Sequence, residues 1–335
     1  MIVIQSGFRE VAAVALGAGG AVAALDGYHP LGPLRGLSYR EINELEESGT
    51  PLPGTWIAKL WSSPNAVPIG DIDNEEGTPF GLAIDPLDGT LAHGNSRNGL
   101  VLAGNLICCS ETAGGPTSAF AFAPDGKAFI LGCNWWEWRG KTGPSMLVRL
   151  VRKKKGKRWS ITEEEAQSGE GFLFSHLAYS PDGKRVVVVE YPKQKQGGRV
   201  ICGDQPTLRV YDAKSLELAA SVKADGPVHG LILCGERVVV VSNDLLKVWD
   251  SPDLAEEPTT VSLDESAPAV AGDPHGRFLL SASGSSVSVW DPKTWKVAKT
   301  YDWKAGAITC LAVAPDGLTA AAGTATGKVV VWDVE

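Results

Sequence analysis

The alternation of apolar and polar residues towards the end of the chain predicts a repeated set of strands. Residues Ala269–Glu335 contain two similar passages, AVAGDPHGRFLLSASGSSVSVWDPKTW and ITCLAVAPDGLTAAAGTATGKVVVWDVE. Each passage predicts an apolar strand, a turn with Pro and Gly, a second strand of small residues, another turn and a third strand ending in Val-Trp-Asp. Trp290 and Trp332 lie 42 residues apart, and Gly276 and Gly317 lie 41 residues apart.

A repeat of this length predicts a β-propeller. A period of about 40–45 residues is typical of a blade of four strands, which buries itself only by stacking on neighbouring blades. Pro presets one backbone angle of a tight turn and Gly accepts a positive φ, so these residues together indicate a turn. Turns of this kind, which would join the first two strands of a blade, occur seven times. The turns are GAGG (17–20), PLDG (86–89), PDG (124–126), PDG (181–183), CGE (234–236), PHG (274–276) and PDG (315–317). We therefore expect an all-β, seven-bladed β-propeller of four-stranded antiparallel blades, forming a single domain over residues 1–335.

The end of the third strand also recurs along the chain. Its markers are LW (60–61), VYD (210–212), VWD (248–250), VWD (289–291) and VWD (331–333), with LVLAG (100–104) and LVRLV (147–151) in blades two and three. On these residues the chain resembles the WD-repeat (Trp-Asp repeat) β-propeller family, most clearly from Ser175 onward. The resemblance implies a ring of blades around a central channel, usually with a binding role.

Several residues match or depart from the structural pattern of that family. Strand alternation and repeat position predict that Trp249, Trp290 and Trp332 pack between blades. The resemblance implies that His176 and His229, near the starts of first strands, form hydrogen bonds within their blades. In the family a His, a Ser or Thr, a turn Asp and the Trp often form a hydrogen-bonded tetrad. Trp249 has Asp244 in the preceding turn, but Trp290 and Trp332 lack this Asp, so we expect incomplete tetrads and a divergent member.

The two ends of the chain predict how the last blade is completed. The sequence ends at Glu335 directly after a predicted third strand, and MIVIQSG (1–7) offers a strand before blade one begins. An unpaired edge strand is an aggregation hazard. We therefore expect Ile2–Ser6 to pair beside the last blade and close it.

Three insertions fall between second and third strands. They are residues 28–55 in blade one, where SYREINELEESG resembles a short capped helix, WWEWRGKTG (135–143) in blade three, and PKQKQGGRVICGDQ (192–205) in blade four. In WD-repeat propellers these connections emerge on one face, called the top face below. We expect a partner-binding surface on this rim, because aromatic and Arg side chains are enriched in binding hot spots. Its candidate residues are Tyr39, Arg40, Trp135, Trp136, Trp138 and Arg139. The alternative is that some of these tryptophans pack under their loop and stiffen it.

A basic run lies on the opposite, bottom face. RLVRKKKGKRW (149–159) holds seven Lys or Arg, followed by Glu163–Glu165. The run Arg149–Arg158 could contact nucleic acid, an anionic membrane or an acidic protein. The net charge of −8 and the lack of aromatic residues before Trp159 disfavour nucleic acid. We favour a hairpin tip balanced by the glutamates.

Cysteine usage and hydropathy bear on the compartment. The six cysteines are Cys108, Cys109, Cys133, Cys202, Cys234 and Cys310. None forms a C-x-x-C motif, and most lie in apolar strand-like runs, so we expect reduced cysteines and a cytoplasmic location. No run approaches 18 apolar residues, and VAAVALGAGGAVAALDG (11–27) lacks the basic flank of a signal peptide, so we expect no membrane span.

The function favoured by the sequence is a non-enzymatic scaffold that binds proteins or peptides. A multi-subunit complex is one setting for such binding. The five histidines are widely separated and form no zinc or hydrolase motif, so we expect no cofactor, no metal and no catalytic residue. One alternative is a propeller enzyme of the lactonase-like hydrolase type, with oxygen ligands from Asp85, Glu190, Asp244 and Asp273. The other is a sensor of a small ligand in the central channel.

Overall fold

The computed structural model describes residues 1–8, 10–26, 56–61, 68–74, 79–86, 89, 91–95, 99–102, 105–107, 117–134, 144–155, 158–169, 171–196, 199–263, 267 and 269–334. These residues contain 29 β-strands and one short 3-10 helix, Ala18–Gly20. The predicted all-β class is therefore confirmed.

The strands form seven antiparallel sheets, which we call blades and number along the chain. The first strand, β1 (Ile2–Gln5), belongs to the last blade. Blade one consists of β2 (Val11–Leu16), β3 (Val22–Asp26), β4 (Trp56–Trp61) and β5 (Pro68–Asn74). Blade two consists of β6 (Pro79–Ile84), β7 (Leu91–Asn95), β8 (Gly99–Leu102) and β9 (Asn105–Ile107). Blade three consists of β10 (Thr117–Phe122), β11 (Ala128–Cys133), β12 (Ser145–Lys155) and β13 (Arg158–Gly169).

The later blades contain the remaining strands. Blade four consists of β14 (Phe172–Tyr179), β15 (Arg185–Gln196), β16 (Arg199–Cys202), β17 (Thr207–Asp212) and β18 (Leu218–Lys223). Blade five consists of β19 (Gly230–Cys234), β20 (Arg237–Ser242), β21 (Leu245–Trp249) and β22 (Thr259–Ser262). Blade six consists of β23 (Ala269–Gly272), β24 (Leu279–Ser283), β25 (Ser286–Asp291) and β26 (Lys296–Asp302). Blade seven consists of β27 (Ile308–Val313), β28 (Thr319–Thr324) and β29 (Lys328–Asp333), together with β1.

The prediction of four strands in every blade needs a correction. Six of the described sheets have four strands, and blade four has five. The predicted insert 192–205 does not leave the sheet as a loop, because β15 continues to Gln196 and the chain returns as β16. Lys193 pairs with Cys202 and Gln196 with Arg199, so the backbone groups of this insert form a second ladder above the blade.

Each predicted turn position falls between the first and second strand of its blade, and residues 87–88 of the second turn lie outside the described residues. Glycine provides the positive φ that they need, with 67° at Gly126, 71° at Gly183 and 66° at Gly317. Turns of neighbouring blades also pack closely, since a Cβ on Gly235 would lie 3.0 Å from the Cα of Gly276. These turns therefore require glycine both for their conformation and for their packing.

The blades are arranged as in a propeller, with their first strands innermost. Each first strand contacts the next, from β2 to β6, β10, β14, β19, β23 and β27, and β27 contacts β2. The apolar core lies between neighbouring sheets. One cluster, for example, joins Leu280 and Val289 of blade six to Val330 of blade seven.

The N-terminal strand lies at the outer edge of blade seven. β1 pairs with β29 antiparallel, with Ile2 opposite Val331 and Gln5 opposite Lys328. Ser6 Oγ continues the contact by donating a hydrogen bond of 2.6 Å to the carbonyl oxygen of Gly327. Ile4 is 8% exposed and belongs to the core between blades seven and one.

Candidate interaction surface

The top face carries the longest connections between second and third strands. The candidate partner residues, Tyr39, Arg40, Trp135, Trp136, Trp138 and Arg139, belong to two of these connections and lie outside the described residues. The described strands show where the connections begin and end. β3 ends at Asp26 and β4 starts at Trp56, whereas β20 and β21 of blade five are joined by two residues.

Both ends of the blade-three connection are fixed to blade four. The buried Asn134 side chain donates to the Phe174 carbonyl oxygen over 2.7 Å and accepts from the Phe174 amide over 2.7 Å. At the other end, the buried Ser145 hydroxyl donates to the Phe172 carbonyl oxygen over 2.7 Å. Two side chains therefore attach the described ends of this connection to β14.

The blade-four hairpin starts at the same place. Phe172 pairs with Pro192, and the Lys193 amide donates to the Gly171 carbonyl oxygen over 2.6 Å. On the other strand, the Gly203 amide donates to the Pro192 carbonyl oxygen over 2.7 Å. The blade-three connection and the β15–β16 hairpin thus share β14 as a common support on the top face.

The basic run on the bottom face lies in a long hairpin, as predicted. β12 and β13 pair from Ser145 opposite Gly169 to Lys155 opposite Arg158. Glu164 accepts a hydrogen bond of 2.6 Å from Arg149 and lies 2.9 Å from Lys153 Nζ. These two cations lower the pKa of Glu164, so this glutamate is ionised and neutralises part of the run.

Sequence reasoning missed a buried ion pair at the base of this hairpin. Arg152 donates to Asp85 of blade two, and both side chains are almost fully buried. The Arg152 guanidinium also lies 5.6 Å from the ring centre of Phe122 and 5.9 Å from that of Phe129. The sequence signal for this pair was that Arg152 occupies a core-facing position in β12. That signal could not identify its partner Asp85, which lies 67 residues away.

The carboxylates proposed as metal ligands are not brought together. Asp273 is bound by Arg277, with distances of 2.9 Å and 3.0 Å, and Asp244 is an exposed turn residue. Glu190 is 2% exposed, accepts a hydrogen bond of 2.7 Å from Tyr211 and lies 3.1 Å from Arg209 Nε. Burial raises the pKa of Glu190. In the described part of the chain, no three His, Cys, Asp or Glu residues are grouped as metal ligands would be.

The innermost strands of blades one, two, five, six and seven line an open pocket of about 370 Å³. Its described lining is aliphatic or glycine, with Leu16, Ile84, Leu233 and Val313 among its residues. The described side chains of this lining include neither a carboxylate ligand for a hard cation nor an acid–base pair.

The predicted histidines lie close to each other at the junction of blades four and five. The His176 ring Nδ1 lies 3.0 Å from Ser175 Oγ, and the ring interacts with the backbone of His229. Burial lowers the pKa of His176. His229 is exposed, and its Nε2 lies 3.0 Å from Asn243 Oδ1.

A comparison with known families identifies the repeat. The family of the WD domain, G-beta repeat, matches residues 265–291 and 295–333, which cover blades six and seven. This match and the propeller-like arrangement of the blades support a WD-repeat β-propeller. No curated protein matches the chain significantly. Within the described residues of the propeller, no helix is long and apolar enough to cross a membrane.

The tryptophans of this WD-repeat propeller are buried as predicted. Trp249, Trp290 and Trp332 are 3%, 8% and 4% exposed and belong to clusters between neighbouring blades. Trp290 Nε1 donates to Ser281 Oγ over 2.8 Å. Within the described residues, the indole nitrogens of Trp249 and Trp332 have no hydrogen-bond acceptor.

The difference between these tryptophans follows from one residue on the second strand. Leu279 pairs with Trp290, and Ser281 lies two positions after Leu279. The same register places Val240 in blade five and Ala322 in blade seven. Neither side chain can accept a hydrogen bond, so the structural tetrad is reduced to a Ser–Trp pair in blade six and to packing in the other two.

Proposed function

We propose that this propeller is a non-catalytic scaffold that binds protein or peptide partners through the top face of blades three and four, together with the blade-one insert. WD-repeat propellers typically act as protein-interaction scaffolds, and they are generally non-catalytic. The seven sheets would form one closed ring, in which β1 completes blade seven. The contact of β27 with β2 and the pairing of β1 with β29 support this closure.

One observation supports the top face most strongly, namely the anchoring of two neighbouring insertions on the same strand. Asn134 and Ser145 fix the blade-three connection to β14, and the β15–β16 hairpin rises from the other side of that strand. A surface that is held in place loses less conformational entropy when a partner binds. The proposed contact residues on this connection are Trp135, Trp136, Trp138 and Arg139, with Tyr39 and Arg40 contributed by blade one.

The proposal is tested by affinity purification from the native cell with identification of the associated proteins. Trp136→Ala combined with Trp138→Ala should remove the specific partners, since truncation of aromatic anchors typically costs about 2 kcal/mol or more, roughly thirtyfold in affinity. The matched control is Leu318→Ala, which shortens a side chain 57% exposed in a bottom-face turn. Partners that remain with the tryptophan variant, while its melting temperature is unchanged, would contradict the proposed surface.

The hydrolase and sensor alternatives predict other results. A hydrolase should purify with a stoichiometric cation, whereas the described carboxylates are separated and the channel lining is aliphatic. A sensor should show a ligand-dependent rise in melting temperature. The cytoplasmic location stays a prediction. Cys133, Cys202, Cys234 and Cys310 are free thiols.

A further inference from the structure

The outer edge of blade three differs from the edges of the other blades. β13 has 12 residues, whereas the other outermost strands have three to seven. In the described part of the chain β13 pairs only with β12, so its other edge presents unpaired backbone groups. Beyond Val151, where the pairing of β12 with β11 ends, the β12–β13 hairpin projects from the blade as two strands. A long strand edge of this kind is a template for another strand.

β13 carries a positive charge at its start and negative charges further along. Arg158 begins the strand, Glu163–Glu165 follow five residues later, and Ile161 lies between them. A bulge interrupts the ladder near Glu164, because Leu150 pairs with Glu163 and Arg149 with Glu165. The regular part of the strand therefore runs from Arg158 to Glu163 and is centred near Ile161.

This order makes the strand complementary to an antiparallel copy of itself. A two-fold axis at Ile161 would place Ser160 opposite Thr162 and Trp159 opposite Glu163. Arg158 of one copy would then face the bulge at Glu164 and Glu165 of the other, and the symmetry repeats this contact. Opposite charges in cross-strand pairs stabilise a ladder, and like charges destabilise it.

We propose that the β13 edge pairs two copies of this chain into a symmetric dimer, with Ile161 on the two-fold axis. The contact is isologous, so it closes after two chains and does not extend into a fibre. Charge complementarity favours a second copy over a nucleic acid, which would meet the glutamates as well as the basic tip and a chain of net charge −8. The paired segment is short, so we expect a weak, salt-sensitive dimer.

The test is sedimentation velocity of the full chain over a wide range of concentrations and at two salt concentrations. The wild type should show a reversible monomer–dimer equilibrium that weakens at high salt. Arg158→Glu should weaken dimerisation by about tenfold or more, because it places like charges opposite each other twice. Glu165→Arg should have the same effect, since the introduced arginine would face Arg158 of the other copy.

Mixing distinguishes this pairing from a loss of fold. An equimolar mixture of the Arg158→Glu and Glu165→Arg chains places opposite charges at both contacts of the mixed dimer and should dimerise more strongly than either variant alone. The double variant restores them at both contacts and should dimerise as the wild type does. A wild type that stays monomeric at every concentration overturns the proposal. So do single variants that dimerise as the wild type does, or a double variant that fails to reassociate. A single-stranded oligonucleotide that binds the wild type but not Arg158→Glu would assign the edge to nucleic acid instead.

Discussion

Blades six and seven have nearly the same sequence pattern, but they are completed in different ways. The outermost strand of blade six, β26, follows β25 directly along the chain, whereas blade seven takes its outermost strand, β1, from the other end of the chain. Blade six also contains the Trp290–Ser281 hydrogen bond, and blade seven has Ala322 at the equivalent position. The repeated pattern of turns and apolar strands thus sets the shape of a blade. Single residues decide which polar bonds it contains.

The largest expected effect comes from breaking the shared strand of blade seven. Ile4→Asp would place a carboxylate in the core between blades seven and one, where Ile4 is 8% exposed. Burying an unpaired charge is costly, so we expect a loss of about 3 kcal/mol or more in the free energy of unfolding. Val3→Asp is the matched control, because Val3 is 40% exposed on the other face of β1. Equal losses for both variants in denaturant unfolding would contradict the position of β1.

A loss of comparable size is expected from truncating the tryptophans of blades six and seven. Trp290→Ala and Trp332→Ala should each cost about 3–5 kcal/mol, as large buried aromatics do. Trp332 contacts Trp303 with ring centres 4.5 Å apart, so part of its loss comes from that aromatic pair. Thermal unfolding of both variants checks the prediction. An unchanged melting temperature for either one would show that its ring is not buried between blades.

Exchanging the second-strand residues should transfer the polar bond from one blade to the other. Ser281→Ala leaves the Trp290 nitrogen without its acceptor, and we expect a loss of about 1 kcal/mol. Ala322→Ser offers an acceptor to Trp332 and should raise stability by about 0.5–1 kcal/mol, since the site gains one hydroxyl. Chemical denaturation of the two variants, with the double variant as control, measures both effects. A destabilising Ala322→Ser would mean that the hydroxyl does not reach the indole nitrogen.

The smallest expected effect concerns pH and compares blade seven with blade four. The first strands β14 and β27 have bulges in the same register, which carry Ser175–His176 in blade four and Thr309–Cys310 in blade seven. Burial raises the pKa of Cys310 to about 11, so its thiol is neutral at and below neutral pH and adds no acid sensitivity.

His176 behaves differently because burial lowers its pKa below the ordinary value of 6.5. The folded state then binds fewer protons than the unfolded state, so the stabilising effect of a neutral His176 is complete above pH 6.5 and is lost as the pH falls through the folded-state pKa. We expect His176→Gln to flatten the fall in unfolding free energy below pH 6.5, by at most about 1.4 kcal/mol per pH unit. An unchanged slope would contradict this assignment, and Cys310→Ala is the control that should leave it unchanged.

Most of the fold could be predicted from local sequence signals. Glycine in the turns requires a positive φ, and apolar alternation identifies the strands, so the positions of turns and third strands agree with the structure. The fifth strand of blade four was missed, because PKQKQGGRVICGDQ has the polar composition of a loop and pairs through its backbone. Backbone pairing of this kind leaves little trace in side-chain pattern.

The candidate site was less predictable. The position of the blade-three insertion followed from repeat spacing, but its anchoring by Asn134 and Ser145 on β14 depends on which blades are neighbours. The buried pair of Asp85 and Arg152 has the same origin, since Asp85 follows β6 of blade two and Arg152 lies within β12 of blade three. Contacts between blades are long-range in sequence, and a single sequence does not encode them in any local period.

The pairing of β1 with β29 also fixes an order of events during synthesis. Val331 is made more than 300 residues after its partner Ile2. The first strand must therefore wait, without its final partner, while six blades emerge from the ribosome, and contacts of such sequence separation form slowly. Until β1 and β29 pair, the edge of β29 is available to chaperones and to neighbouring nascent chains.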